Sequence, residues 1–176
     1  MPALNDTVQF TDLDPSARAA FQTKFGMPTK DRLGIGFKLY KFNNYSSLHA
    51  PGNNALSPWW SAYDAYKHDP GWDMRLRMAK ANGVSIREWG RLTSAIKENW
   101  NSMQYLLVIA LKVEAFGFFG GFSSMVRIDP GAAGLMKPGE QKGTSKSLPG
   151  GATQFYIPNL TSDHVNRVNV LDLSSM

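Results

Sequence analysis

The stretch Leu148-Pro149-Gly150-Gly151-Ala152-Thr153-Gln154-Phe155-Tyr156-Ile157-Pro158 carries a turn and a strand in one line. A proline and two glycines bring the backbone round, and Thr153 to Ile157 reads as a short strand stopped by Pro158. Glycine adopts backbone conformations closed to other residues and lets a ligand come close to the main chain. Gln154 therefore opens a strand just past a loop suited either to a ligand or to an ordinary turn into a buried strand.

The rest of the chain sets the context for that glutamine. Its 176 residues suffice for one domain with a sizeable core, and a hydrophobic share of 43% with 12% aromatic is that of a globular protein. No apolar run approaches the roughly 20 residues that span a bilayer. Met1 to Phe10 lacks the basic start and apolar middle of a secretory signal, so export would need a route without one. With no cysteine, disulfides, thiol nucleophiles and thiolate metal sites are excluded, and His49, His68 and His164 show no ligand spacing. No metal is expected. The formal net charge of +5 favours an acidic protein partner or a phosphate-bearing ligand. Lys and Arg are too scattered for nucleic acid to be the expected partner.

Along the chain, residues 1–12 read as a tail. Asp14-Pro15 starts a helix that runs to about Phe25 and packs on the outside of the domain. Leu33 to Phe42 alternates apolar and polar residues, a strand pattern, and Asn43 to Pro58 reads as a loop ending in Ser57-Pro58-Trp59-Trp60. Two adjacent tryptophans face opposite sides of a strand, so one lines a cleft, or both fold under the loop as a satellite core. Trp72 to Ala81 is a short helix. Ser85 and Glu88 form a capping box for an amphipathic helix through Ile86, Trp89, Leu92, Ile96 and Trp100. Tyr105 to Val113 is a central apolar strand, and Phe116 to Ile128 another, broken at Gly120-Gly121. The Gly, Pro, Lys and Ser of 129–147 read as a mobile surface loop, and Arg167 to Leu173 as a last edge strand. One α+β domain over 13–176 accounts for this order.

Taken together, Tyr40-Lys41-Phe42-Asn43, Ser57-Pro58, the strand at Tyr105 to Val113 and Pro149-Gly150-Gly151-Ala152-Thr153-Gln154-Phe155 have a familiar sequence. The chain resembles NAD glycohydrolase domains of the tuberculosis necrotizing toxin type, relatives of the ADP-ribosyltransferase toxins. The resemblance covers the two ends of the chain, with 72–102 as a helical insertion. Lys41 stands where that family has arginine, and Ala152 where it has a third glycine.

The resemblance implies an ADP-ribosyltransferase-like split, curved sheet with peripheral helices, holding NAD+ or NADP+ in its cleft as a substrate, with no prosthetic group. It implies that Gln154 orders the nicotinamide ribose and the attacking water while Lys41 attracts the diphosphate. Tyr40, Phe42, Ser57, Trp59, Trp60, Gly150, Gly151 and Phe155 would form the dinucleotide-binding surface. It further implies a toxin delivered into a target cell's cytoplasm and an immunity protein that plugs the cleft in the producer. A mono-ADP-ribosyltransferase and a partner-binding module without enzymatic activity are the other two readings. Transferases of this kind rely on a glutamate near Gln154, and no glutamate lies near it in sequence.

Overall fold

The structure, a computed structural model, describes residues 1–24, 26–49, 52–129 and 147–176. All but the ends of the loop expected at 129–147 lies outside them. In chain order the described elements are α1 (Pro15–Ala19), β1 (Phe21–Gln22), β2 (Thr29–Leu33), β3 (Lys38–Asn43), β4 (Trp59–Ala62), α2 (Gly71–Ala81), α3 (Ile86–Thr93), β5 (Tyr105–Leu111), β6 (Ala115–Phe122), β7 (Met125–Val126), β8 (Ser147–Leu148), β9 (Thr153–Tyr156) and β10 (Val165–Asp172). This is an α+β architecture with a largely antiparallel sheet and few helices.

The main sheet runs β1-β6-β9-β4-β3-β5-β10, with β2 following β1 along the same edge of β6. Strand β4 changes partners half-way. Trp59 and Trp60 pair with Tyr156 and Phe155 of β9, whereas Ser61 and Ala62 pair with Tyr40 and Leu39 of β3. Two half-sheets therefore meet within four residues. The apolar strand β5 lies between β3 and β10, which explains why Leu106 to Ile109 are buried.

Three apolar clusters hold the layers. One joins Leu33, Leu39, Trp60, Ile109, Phe119, Phe155 and Ile157 across both half-sheets. A second packs α2 and α3 on the β3–β5 face through Tyr40, Phe42, Trp72, Ile86, Met103 and Leu106. The third seats Leu13, Ala17 and Phe21 against Phe118, with Trp59 and Tyr156 beside them.

Several sequence expectations change here. Leu33 to Phe42 is two strands, because Phe37 N–H donates to Gly34 O at 3.1 Å across a corner in which Gly36 takes φ +86° and Ile35 is exposed. Alternation does not register such a corner, since its residues keep the period of the strands on either side. Gly120-Gly121 does not break β6; the pair sits opposite Gln154 and Thr153. A Cβ on Gly120 would stand 2.9 Å from Phe21 Cδ1, so this glycine lets the N-terminal layer lie directly on the sheet.

Helix α1 ends at Ala19, well before Phe25, because Phe21 enters the sheet beside Phe122. Helix α3 begins as expected, with Ser85 Oγ accepting from Glu88 N–H at 3.1 Å, but stops at Thr93. The first residues are no loose tail. Leu4 N–H donates to Glu114 O and Phe116 N–H to Leu4 O, both at 2.8 Å, and Asn5 Nδ2 donates to Pro158 O at 2.7 Å.

The Pro-Gly-Gly turn clamps a helix end. Gly150 N–H donates to Leu92 O at 2.9 Å and Ala152 N–H to Thr93 O at 3.0 Å, satisfying carbonyls that the terminus of α3 leaves open. Gly150 has φ +73°, and a Cβ there would lie 2.5 Å from Phe122 O. Gly150→Ala is therefore expected to cost about 2–3 kcal/mol, read as a lower urea midpoint. An unchanged midpoint would show that the turn relaxes around a methyl group.

Candidate functional site

A cavity of about 490 Å³ opens where the two half-sheets meet. Its floor is residues 40–42 of β3, 59–61 of β4, and Gln154 and Tyr156 of β9. Helix α1, with Asp14, Ser16, Ala17 and Ala20, forms one wall, and residues 94–96 with Trp100 and Asn101 form the other. The volume lies within the roughly 300–1,000 Å³ of small-molecule sites.

Strand alternation divides β9 between two tasks. Thr153 and Phe155 point into the protein. Gln154 and Tyr156 face the cavity, although Gln154 is only 1% exposed. Gln154 Nε2 donates to Ala20 O at 3.1 Å. That bond fixes which end of the amide is the donor and leaves Oε1 as the acceptor available to a ligand.

Lys41 lies on β3 in the same cavity lining, and the pairing of β3 with β4 puts its side chain on the Trp60 face of the sheet. Its Nζ stands 5.7 Å from the centroid of the Trp60 ring, and no carboxylate among the described residues pairs with it. Burial lowers its pKa to about 8, since a charged ammonium loses hydration there without a compensating anion. An anionic ligand would supply that compensation.

The tryptophans take different surroundings. Trp60 is buried in the core between the half-sheets, with Nε1 donating to Ser57 O at 2.7 Å. Trp59 is half-buried, its ring edge-on to Tyr156 with centroids 4.4 Å apart and close to Phe21 at 5.6 Å. Both border the cavity, as do Tyr40, Phe42 and Ser57.

Not every expected residue gathers here. Gly150 and Gly151 line a second cavity of about 600 Å³, together with Lys67, His68 and Phe119. Phe155 is fully buried against Phe37, Tyr66 and Phe119, with ring centroids 4.9–5.7 Å apart. It is a core residue, because odd-numbered positions of β9 face inward. No protein-family model, curated protein or solved structure matches this chain. The site therefore rests on its own geometry.

Sequence reasoning missed the supports beneath and beside the cavity. Under its floor, the Asp69 carboxylate accepts from Arg75 NH2 at 2.8 Å, from Gly71 N–H at 2.8 Å and from Thr153 Oγ1. Arg75 NH1 then donates to Tyr40 Oη at 2.7 Å. Burial is the main reason the Tyr40 phenol is pushed up to about 12, so it stays protonated. This buried network ties β9, α2 and β3 into one block.

The far wall hangs on Arg91, which is buried and donates to Ile96 O and Asn101 O at 3.0 Å each. Asn101 in turn donates to Phe42 O at 3.0 Å. The supposed helical insertion thus contributes its last residues to the site. Asp14 on the near wall was legible only as a helix cap, and its placement beside the cavity depends on long-range packing.

Proposed function

We propose that this cavity binds NAD+ or NADP+ and hydrolyses the bond between nicotinamide and ribose, as an ADP-ribosyltransferase-like toxin domain. One observation carries the reading: Lys41 from β3, Trp59 and Trp60 from β4, and Gln154 from β9 line a single cavity. These residues lie as much as 113 positions apart in sequence (154 − 41) and come together only through the pairing at β4. That change of partner along β4 fits the split sheet of the toxins resembled by the sequence.

In this reading the Lys41 ammonium holds the diphosphate as a point charge, and aromatic faces around the cavity stack on a base. Gln154 Oε1 accepts from a ribose hydroxyl or the attacking water. A neutral amide positions without ionising, so the gain comes from orientation of water and sugar. An immunity protein plugging the same opening would protect the producing cell.

The test is direct. Purified protein incubated with NAD+, and with no acceptor, is expected to release free nicotinamide and ADP-ribose. Release that requires cell extract and labels a macromolecule would point instead to a transferase. A stoichiometric complex without turnover would leave a binding module.

Lys41 gives that assay a pH signature. The ammonium is charged below about 8 and loses its proton as pH rises through that value. Substrate capture is expected to fall on the alkaline side of about 8, seen as a rising KM for NAD+. Lys41→Met should raise KM at neutral pH and abolish this alkaline limb. A limb unaltered in the variant would assign it to another group.

A further inference from the structure

We propose that the Asp14 carboxylate faces the ribosyl cation formed as nicotinamide departs; the inference rests on the hydrolase reading above. Asp14 is in the wall of the same cavity as Gln154. It precedes Pro15 at the start of α1 yet makes no side-chain cap bond. Among the described residues it has no ion-pair partner either. A carboxylate at a helix start normally caps it, whereas this one is exposed at the edge of the cavity and makes no such bond.

Its field reaches the cavity. Burial, and then the Asp14 charge, raise the Tyr156 phenol above its ordinary value, and Tyr156 lines the floor beside Gln154. Helix α1 also couples the two candidate groups, since Asp14 precedes its first residue while Ala20, just past its end, accepts from the Gln154 amide. One short helix thus places both the charge and the positioning amide.

Among the described lining residues, Asp14 in the wall and Lys41 in the floor are the charged ones. That polarity matches a substrate with an anionic diphosphate and a cationic nicotinamide. As the C1′–N bond breaks, its electron pair passes to the nicotinamide nitrogen and positive charge moves onto the ribose. Water then bonds to C1′ and its proton goes to solvent, giving nicotinamide, ADP-ribose and H+. A negative charge beside the ribose interacts most strongly when that positive charge is developing there, which is the condition for lowering the barrier.

The experiment compares wild type with Asp14→Asn and Asp14→Glu. It measures nicotinamide release, together with binding of ADP-ribose and of a cationic pyrrolidine mimic of the ribosyl cation. Asp14→Asn is expected to lower kcat by about 100-fold with little change in KM, and to weaken the cationic mimic while sparing ADP-ribose. Asp14→Glu should recover much of kcat. Wild-type kcat and mimic affinity in Asp14→Asn would overturn the proposal while leaving the hydrolase reading intact. A wild-type protein that releases no nicotinamide would overturn both. Equal losses for mimic and ADP-ribose would make Asp14 a structural residue and also refute its role.

Discussion

Gln154→Ala is expected to slow nicotinamide release by roughly 100- to 1,000-fold, the usual cost of removing one pre-positioned polar group from a reaction site. The loss should appear in kcat, because Lys41 and the aromatic residues proposed to capture the dinucleotide remain. A smaller effect on stability accompanies it. The amide is almost fully buried and donates to Ala20 O, which also accepts from Ser123 N–H at 3.0 Å, so truncation removes one of that carbonyl's two bonds at about 0.5–1.5 kcal/mol. Release rates measured well below the urea midpoint separate the two effects. Full activity in a folded Gln154→Ala protein would remove the glutamine from the mechanism.

The second large effect is on folding. Asp69→Ala takes away the acceptor shared by Arg75, Gly71 and Thr153, and leaves the Arg75 guanidinium buried with Tyr40 Oη as its one hydrogen-bond partner among the described residues. Stranding one member of a buried ion pair costs about 3–5 kcal/mol. Native domains hold only about 5–15 kcal/mol in total, so the variant should melt far below wild type. Asp69→Asn, which retains an acceptor but not the charge, is expected to fall between them. A loss under about 1 kcal/mol for Asp69→Ala would mean that water reaches Arg75 and replaces the carboxylate.

The strands that flank the site were readable for local reasons. Pro149-Gly150-Gly151 announces a turn, and the β-branched and aromatic residues after it announce β9. The seven apolar residues of β5 are equally plain. What local patterns cannot carry is which strand lies beside which. The corner at Gly34–Phe37 kept the alternation of its flanks, and Gly120-Gly121 resembled an interruption although it admits Phe21.

The same limit governs the site. Lys41 and Gln154 were singled out separately, but their common cavity depends on β4 pairing first with β9 and then with β3. Asp69, Arg75 and Arg91 look like surface charges in the sequence, since their burial is decided by partners in distant elements. The turn reads as suited to a ligand, and the backbone amides of Gly150 and Ala152 serve the end of α3. Glycine signals close approach without saying what approaches.

The partner exchange within β4 has a mechanical corollary. The peptide link between Trp60 and Ser61 acts as a seam: upstream of it the strand is stitched to the glutamine's side, downstream to the lysine's. A few degrees of rocking about that link would alter the span from ammonium to amide while every ladder within either half stays closed. A dinucleotide grasped at both ends would act as a cross-brace over the seam, and amide exchange at these two residues should slow when it binds.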